Sequence, residues 1–402
     1  MNGKKAFTDR LEATRHKITS DRSSLRIGGD RPIMVPEATT KANPSKRIVF
    51  IVTATLVCSL ILASLIRELV HIYWESATPI PSGTHVTQNG PTILPFSTSG
   101  TIYFISGFNS IAAMKANGAV PESVYTLSGG YQSQGQITSL NVLPNGSKIA
   151  FTYSQDTASN LGRSCIFSLS AGSTKTTSLT PGCTTTGSSD DDSQPVLSPD
   201  GKTVYFLSYG RTGGPGIFKE PISGGSVTLV VALPYLNPTT NQPILLSSLA
   251  ISPNGKTLAF PYFRSSSLVP YLYTVGTDGT GLIQASSSPA YVDEVDGWSP
   301  DGQSLIAVTG SNNNYLRILS AGSGAVTRTL ATASNVQAFA KASWSPDGKL
   351  VAYDLNGSLQ NYNIFLISST GGTSYQITDI GRNQIPVWAN QSSPPLGGAP
   401  LN

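Results

Sequence analysis

The sequence predicts an all-β fold: a six-bladed β-propeller of four-stranded antiparallel blades, preceded by one transmembrane helix and a disordered basic tail. Three observations carry this. A Pro-Asp/Asn-Gly turn recurs five times at a spacing near fifty residues. Each copy is followed by alternating apolar strands and further glycine turns. A single uncharged run separates this repetitive region from a basic N-terminal segment. With 39 Gly, 27 Pro and only 12% charged residues, the composition excludes a coiled coil or long helical bundle, and 39% hydrophobic residues argue against wholesale disorder.

Taken along the chain, residues 1–47 hold eleven Lys/Arg against five Asp/Glu, an excess of six. From residue 96 onward fourteen basic side chains face fifteen acidic ones. A near-neutral body has no footprint for nucleic acid, whose phosphates demand clustered Lys and Arg. The tail is polar and interrupted by Gly and Pro, so it reads as a solvated, disordered segment.

Residues 48–66, IVFIVTATLVCSLILASLI, carry no charge and lie between Arg47 and Arg67. Such a run spans roughly 28 Å as a helix, close to the ~30 Å hydrocarbon thickness. Tyr73 and Trp74 follow at the interfacial position. The run is longer than a signal-peptide core and no clear cleavage site follows it, so the sequence predicts an uncleaved signal anchor. Positive charge stays inside, which places the N-terminus in the cytoplasm and the rest outside the cytoplasmic membrane. Residues 67–92 read as a juxtamembrane stalk and 393–402 as a flexible C-terminal tail.

The repeat occupies 93–392. Its turns are Pro144-Asn145-Gly146, Pro199-Asp200-Gly201, Pro253-Asn254-Gly255, Pro300-Asp301-Gly302 and Pro346-Asp347-Gly348, with glycines 55, 54, 47 and 46 positions apart. Pro presets φ at the second turn position, Asp or Asn bonds the downstream backbone, and Gly accepts the positive φ that closes the turn. Each turn joins a strand ending near Trp, Leu or Ile to an alternating one such as Leu350-Val351-Ala352-Tyr353. A third strand follows, as in Asn363-Ile364-Phe365-Leu366, and a shorter fourth. Six such sets and seven candidate first strands imply that the segment around Ile385–Trp388 completes the blade begun by Thr101–Ser106, which removes open edges. Trp298, Trp344 and Trp388 are expected to pack between blades.

The segment Trp344-Ser345-Pro346-Asp347-Gly348-Lys349 and its four relatives resemble the WD40-like repeats of the TolB-type β-propeller family, over about 90–392. The resemblance implies the propeller fold. The expected organisation departs from the family pattern in that no α/β domain is expected before the propeller, and the predicted membrane anchor takes its place.

Chemistry is sparse. The three histidines are His16, His71 and His85, so none falls in the repeat region; that removes a Ser-His-Asp triad and His-ligated metal chemistry there. No catalytic residues and no cofactor are expected. Cys165 and Cys183 lie 18 positions apart in one blade of an exported domain, an arrangement suited to a disulfide, while Cys58 falls in the span. Two acidic clusters are the candidate sites. Asp190, Asp191 and Asp192 precede the first strand of one blade; Asp293, Glu294 and Asp296 hold a comparable place two blades later, with Lys341 and Arg382 at comparable places elsewhere. Together they would make a charged rim of the central channel, able to hold Ca²⁺, peptide amines or sugar hydroxyls. The function expected is non-catalytic binding of a protein or cell-envelope ligand at that rim. The alternatives are a lyase or glycosidase using carboxylates, and a sensor coupling an external ligand to the tail.

Overall fold

A computed structural model describes residues 94–127, 135–155, 163–180, 190–233, 246–263, 269–287, 292–310, 313–333, 337–356, 362–378 and 381–390. The expected tail, transmembrane run, stalk and residues 393–402 lie outside the described residues, as does Cys183. No helix among the described residues is long and apolar enough to cross a membrane.

The described chain is all strand. In order these are β1 (Thr101–Ser106), β2 (Ser110–Lys115) and β3 (Glu122–Thr126), then β4 (Gln136–Val142), β5 (Lys148–Gln155), β6 (Arg163–Ser170) and β7 (Thr176–Ser178). The next blade holds β8 (Asp192–Leu197), β9 (Thr203–Ser208), β10 (Gly216–Pro221) and β11 (Thr228–Ala232). It is followed by β12 (Ala250–Ile251), β13 (Thr257–Phe263), β14 (Pro270–Gly276) and β15 (Ile283–Gln284). A further blade comprises β16 (Val292–Trp298), β17 (Ser304–Thr309), β18 (Tyr315–Ser320) and β19 (Val326–Thr332). The chain ends with β20 (Phe339–Trp344), β21 (Leu350–Asn356), β22 (Tyr362–Ser368), β23 (Tyr375–Gln376) and β24 (Asn383–Ala389).

These strands form six four-stranded antiparallel sheets, and the order β24-β1-β2-β3 closes the ring as the surplus first strand requires. Ile102 sits opposite Trp388 in that closing pair. The first strands touch one another in a full circle, β4 to β8, β12, β16, β20, β24 and back to β4. They therefore surround the axis, and whatever they carry away from the sheets faces it.

The repeated turn explains each first hairpin. Gly302 and Gly348 stand at φ 72° and 71°, where a side chain would be strained. Their N–H groups donate to Ser299 O at 2.8 Å and Ser345 O at 2.9 Å. Ser299 Oγ donates to Asp301 Oδ1 at 2.5 Å and accepts the Ser304 N–H at 2.9 Å. The same serine–aspartate contact holds the Asp200 carboxyl below its ordinary value.

Core packing falls between blades. Trp344 joins Ile306, Val308 and Ile318 of the preceding blade, and Trp388 joins Leu350, Ala352 and Ile364. Trp298 packs partly buried against a cluster formed by Ala250, Leu272, Val295 and Leu305. Because every such cluster draws on two adjacent sheets, no blade can bury its apolar face alone.

A candidate cation-binding site on the innermost strands

The two acidic clusters do not occupy the same depth. Pairing puts Asp192 opposite Ser208 and Val292 opposite Thr309, equivalent ladder positions. Asp190 and Asp191 thus precede their strand, whereas Asp293, Glu294 and Asp296 lie within theirs. Both strands carry bulges, between Ser193 and Val196 and twice in β16. A bulge breaks the two-residue alternation and re-aims side chains, and it lets three acids of β16 leave the apolar face while Val292 and Val295 stay in the core.

In the β8 cluster, Arg211 donates from Nε to Asp192 Oδ1 at 2.9 Å and from Nη2 to Asp192 Oδ2 at 2.5 Å. Its Nη1 lies 3.3 Å from Asp190 Oδ2. Asp191 Oδ1 accepts the Ser164 N–H of the neighbouring blade at 3.1 Å. Asp192 is fully buried. Burial pushes its carboxyl up, while hydrogen bonds from Arg211 and Ser208 pull it back. This cluster is a bidentate ion pair with its hydrogen-bonding capacity largely used.

The β16 cluster is organised around Lys341 of β20. Lys341 Nζ contacts Glu294 Oε2 and lies 3.4 Å from Asp296 Oδ1. The Asp296 side chain is 1% exposed, against 18% for Glu294 and 14% for Lys341, so the cluster is open at Glu294 and closed at Asp296. Asp296 Oδ2 and Asp293 Oδ2 are buried and have no hydrogen-bond partner among the described residues. Burial raises the Asp293 carboxyl to about 7, aided by the Glu294 charge. Burial also raises Glu294 and Asp296 against the pull of Lys341.

Behind them lies Asp354 of β21, fully buried and unanticipated by the sequence reading. Its Oδ1 accepts the N–H groups of Ala340 (3.0 Å) and Lys341 (2.8 Å), and its Oδ2 accepts that of Ile385 (2.7 Å). Burial raises it to about 6. Ile385 sits at φ 58°, which a β-branched residue rarely adopts, and the Asp354 carboxylate holds that bulge residue of β24 in place. The available signal was an acid in an otherwise apolar strand, LVAYDLN.

Arg382 does not join either cluster. Its guanidinium lies 4.2 Å from the Phe108 ring and 4.9 Å from the Tyr362 ring, and its Nε donates to Gln384 at 3.2 Å. Cys165 is buried on β6. Among the described residues no group of three or more Asp, Glu, His or Cys is arranged to hold a metal ion.

No family model matches the chain. No curated protein matches it either. Solved structures do. TolB from Acinetobacter baumannii is 20% identical, with a TM-score of 0.55 over 74% of this chain and 68% of that one. A chain of a nidogen/laminin complex is 12% identical, with a TM-score of 0.53 over 73% of this chain and 100% of that one. A putative TolB from Agrobacterium tumefaciens is 16% identical, covering 74% and 94%, with a TM-score of 0.49. What this protein shares with TolB is the six-bladed β-propeller fold.

Proposed function

We propose that this is a single-pass, membrane-anchored propeller displayed outside the cytoplasmic membrane, which binds a protein partner through the rim of its innermost strands without catalysing a reaction. The observation that carries the reading is the β16–β20 cluster, where ionisable groups are left with unused hydrogen-bonding capacity on the strands that ring the axis. Structural neighbours support a binding role in kind: one belongs to a complex between nidogen and laminin. The absence of histidine after His85 weighs against ordinary hydrolytic chemistry.

A photo-crosslinking residue at Ala338, just before β20, tests this against one at Thr228 on the outer strand β11. A discrete protein adduct at Ala338 and none at Thr228 supports the reading; equal or absent adducts overturn it. A reporter on the C-terminus, protected inside intact cells, would overturn the orientation. The rival reading, a carboxylate enzyme, draws on Asp293, whose value near 7 beside Glu294 suits a general acid. Turnover of glycoside or uronide substrates, lost in Asp293→Asn, would replace the binding assignment.

A further inference from the structure

Four carboxyl groups, those of Asp293, Glu294, Asp296 and Asp354, stand close enough for their charges to be felt by one another, and one ammonium, Lys341, answers them. Asp354 is satisfied by three backbone donors. The remaining three are not. Asp296 Oδ2 has no donor among the described residues although its side chain is 1% exposed, and Asp293 Oδ2, a buried atom of a half-buried residue, has none either. An unanswered buried carboxylate oxygen is costly, so such groups are paired or ligated when they function.

The fold shows the alternative two blades away, where Arg211 gives Asp192 two parallel donors. No second cation of the described residues reaches β16. Arg382 is held between aromatic rings, and Arg317 lies 4.2 Å from the Tyr315 ring. The Glu294 and Asp296 carboxyl groups are disposed around an ammonium that lies between them, and among the described residues no set of three acids is arranged around a point where a compact metal ion would sit. That arrangement selects a group with several diverging N–H donors.

We infer that the open side of this cluster, at Asp293 and Glu294, receives a second ammonium or guanidinium group, carried by a lysine or arginine side chain of the protein partner. The inference rests on the binding reading above and gives it a chemistry. Lys341 anchors Glu294 and Asp296 from within, and the incoming cation completes the charge balance from the solvent side. Charge-assisted bonds of this kind set both register and partner choice.

The test uses the full chain in nanodiscs of uncharged lipid, titrated with fluorescein-labelled hexa-arginine and followed by anisotropy. Binding should weaken about tenfold in Asp293→Asn/Asp296→Asn and stay unchanged in Asp200→Asn/Asp278→Asn, which likewise removes two carboxyl groups, from exposed turns. Labelled hexa-glutamate should not bind. Should the cluster double variant fail to fold, Asp293→Asn alone serves, because Asp293 is at the open side. Equal affinity in the cluster and exposed-turn variants, or no hexa-arginine binding, overturns the inference. The two readings fail separately: a discrete adduct at Ala338 with no preference for hexa-arginine leaves the binding rim standing and removes the cationic partner group.

Discussion

Two runs of acid on innermost strands, two blades apart, meet opposite fates in the same ring. Asp192 is closed by a guanidinium from its own blade, delivered by the turn after β9, and both carboxylate oxygens receive a donor. Asp296 depends on a single ammonium from the next blade, shared with Glu294, and one of its oxygens receives no donor among the described residues. The difference lies in the bulges and the residue types. At β8 the acids run up to the first residue of the strand and meet a planar fork; at β16 they are inside the strand and meet a point charge. A closed ion pair is a structural joint. An open one on the innermost strands is what the proposed binding reading rests on.

The largest expected effect removes the frame that both clusters share. Deleting 383–402 takes away β24, its pairing with β1, and the Ile385 N–H that Asp354 accepts. The closing blade then has an unpaired edge and two interblade clusters lose a wall. Loss of a single cooperative melting transition is expected; unchanged melting would mean that the ring does not depend on its closure. Next comes Arg211→Met, which leaves the fully buried Asp192 without its partner and should cost about 3–5 kcal/mol in urea unfolding. Lys341→Met should cost less at pH 6 than at pH 8, because Glu294 and Asp296, already raised by burial, can take up protons instead. Equal pH-independent losses at the two positions would erase the distinction between the clusters.

Much of the frame was legible because it is written locally. Pro346-Asp347-Gly348 fixes its own turn through neighbouring atoms, so five copies announce five hairpins, and a seventh candidate first strand among six sets announces the closure. The acids of the two clusters were visible as runs. Their partners were not. Arg211 follows Asp192 by 19 positions and Lys341 follows Asp296 by 45, and nothing local says that either pair meets. Bulges in β8, β16, β20 and β24 add the decisive obstacle, since each shifts the facing of every later residue in its strand. Asp354 escaped for a related reason: its importance comes from three N–H groups on two other strands.

A smaller effect should separate the clusters through the Cys165–Cys183 bond proposed from their spacing. Cys165 follows Ser164, whose N–H donates to Asp191, so a bond there would fasten the segment leading into the β8 cluster. The oxidised full chain should show one reactive thiol after denaturation, that of Cys58; three would dispose of the bond. Its reduction should lower stability by about 3 kcal/mol and leave hexa-arginine binding at β16 intact.

The smallest effect concerns pH. Asp293 is raised to about 7 and Asp354 to about 6, both by burial, so the folded chain holds protons that the unfolded chain has already released. For such groups the stabilising contribution is complete below the unfolded value near 3.8 and drains away as pH climbs to about 7. Asp293→Asn removes one of these proton sites without removing Lys341, so its melting temperature should change less than the wild type's between pH 5 and about 7. Because Asp293 is only half-buried, solvent screening limits the difference to on the order of 1 kcal/mol. The matching change at Asp278, Asp278→Asn, should leave that slope as it is, for hydrogen bonds from Thr280 hold its carboxyl below the ordinary value and so below this pH window. A pH profile altered at Asp278 and not at Asp293 would remove the buried proton site from the open cluster.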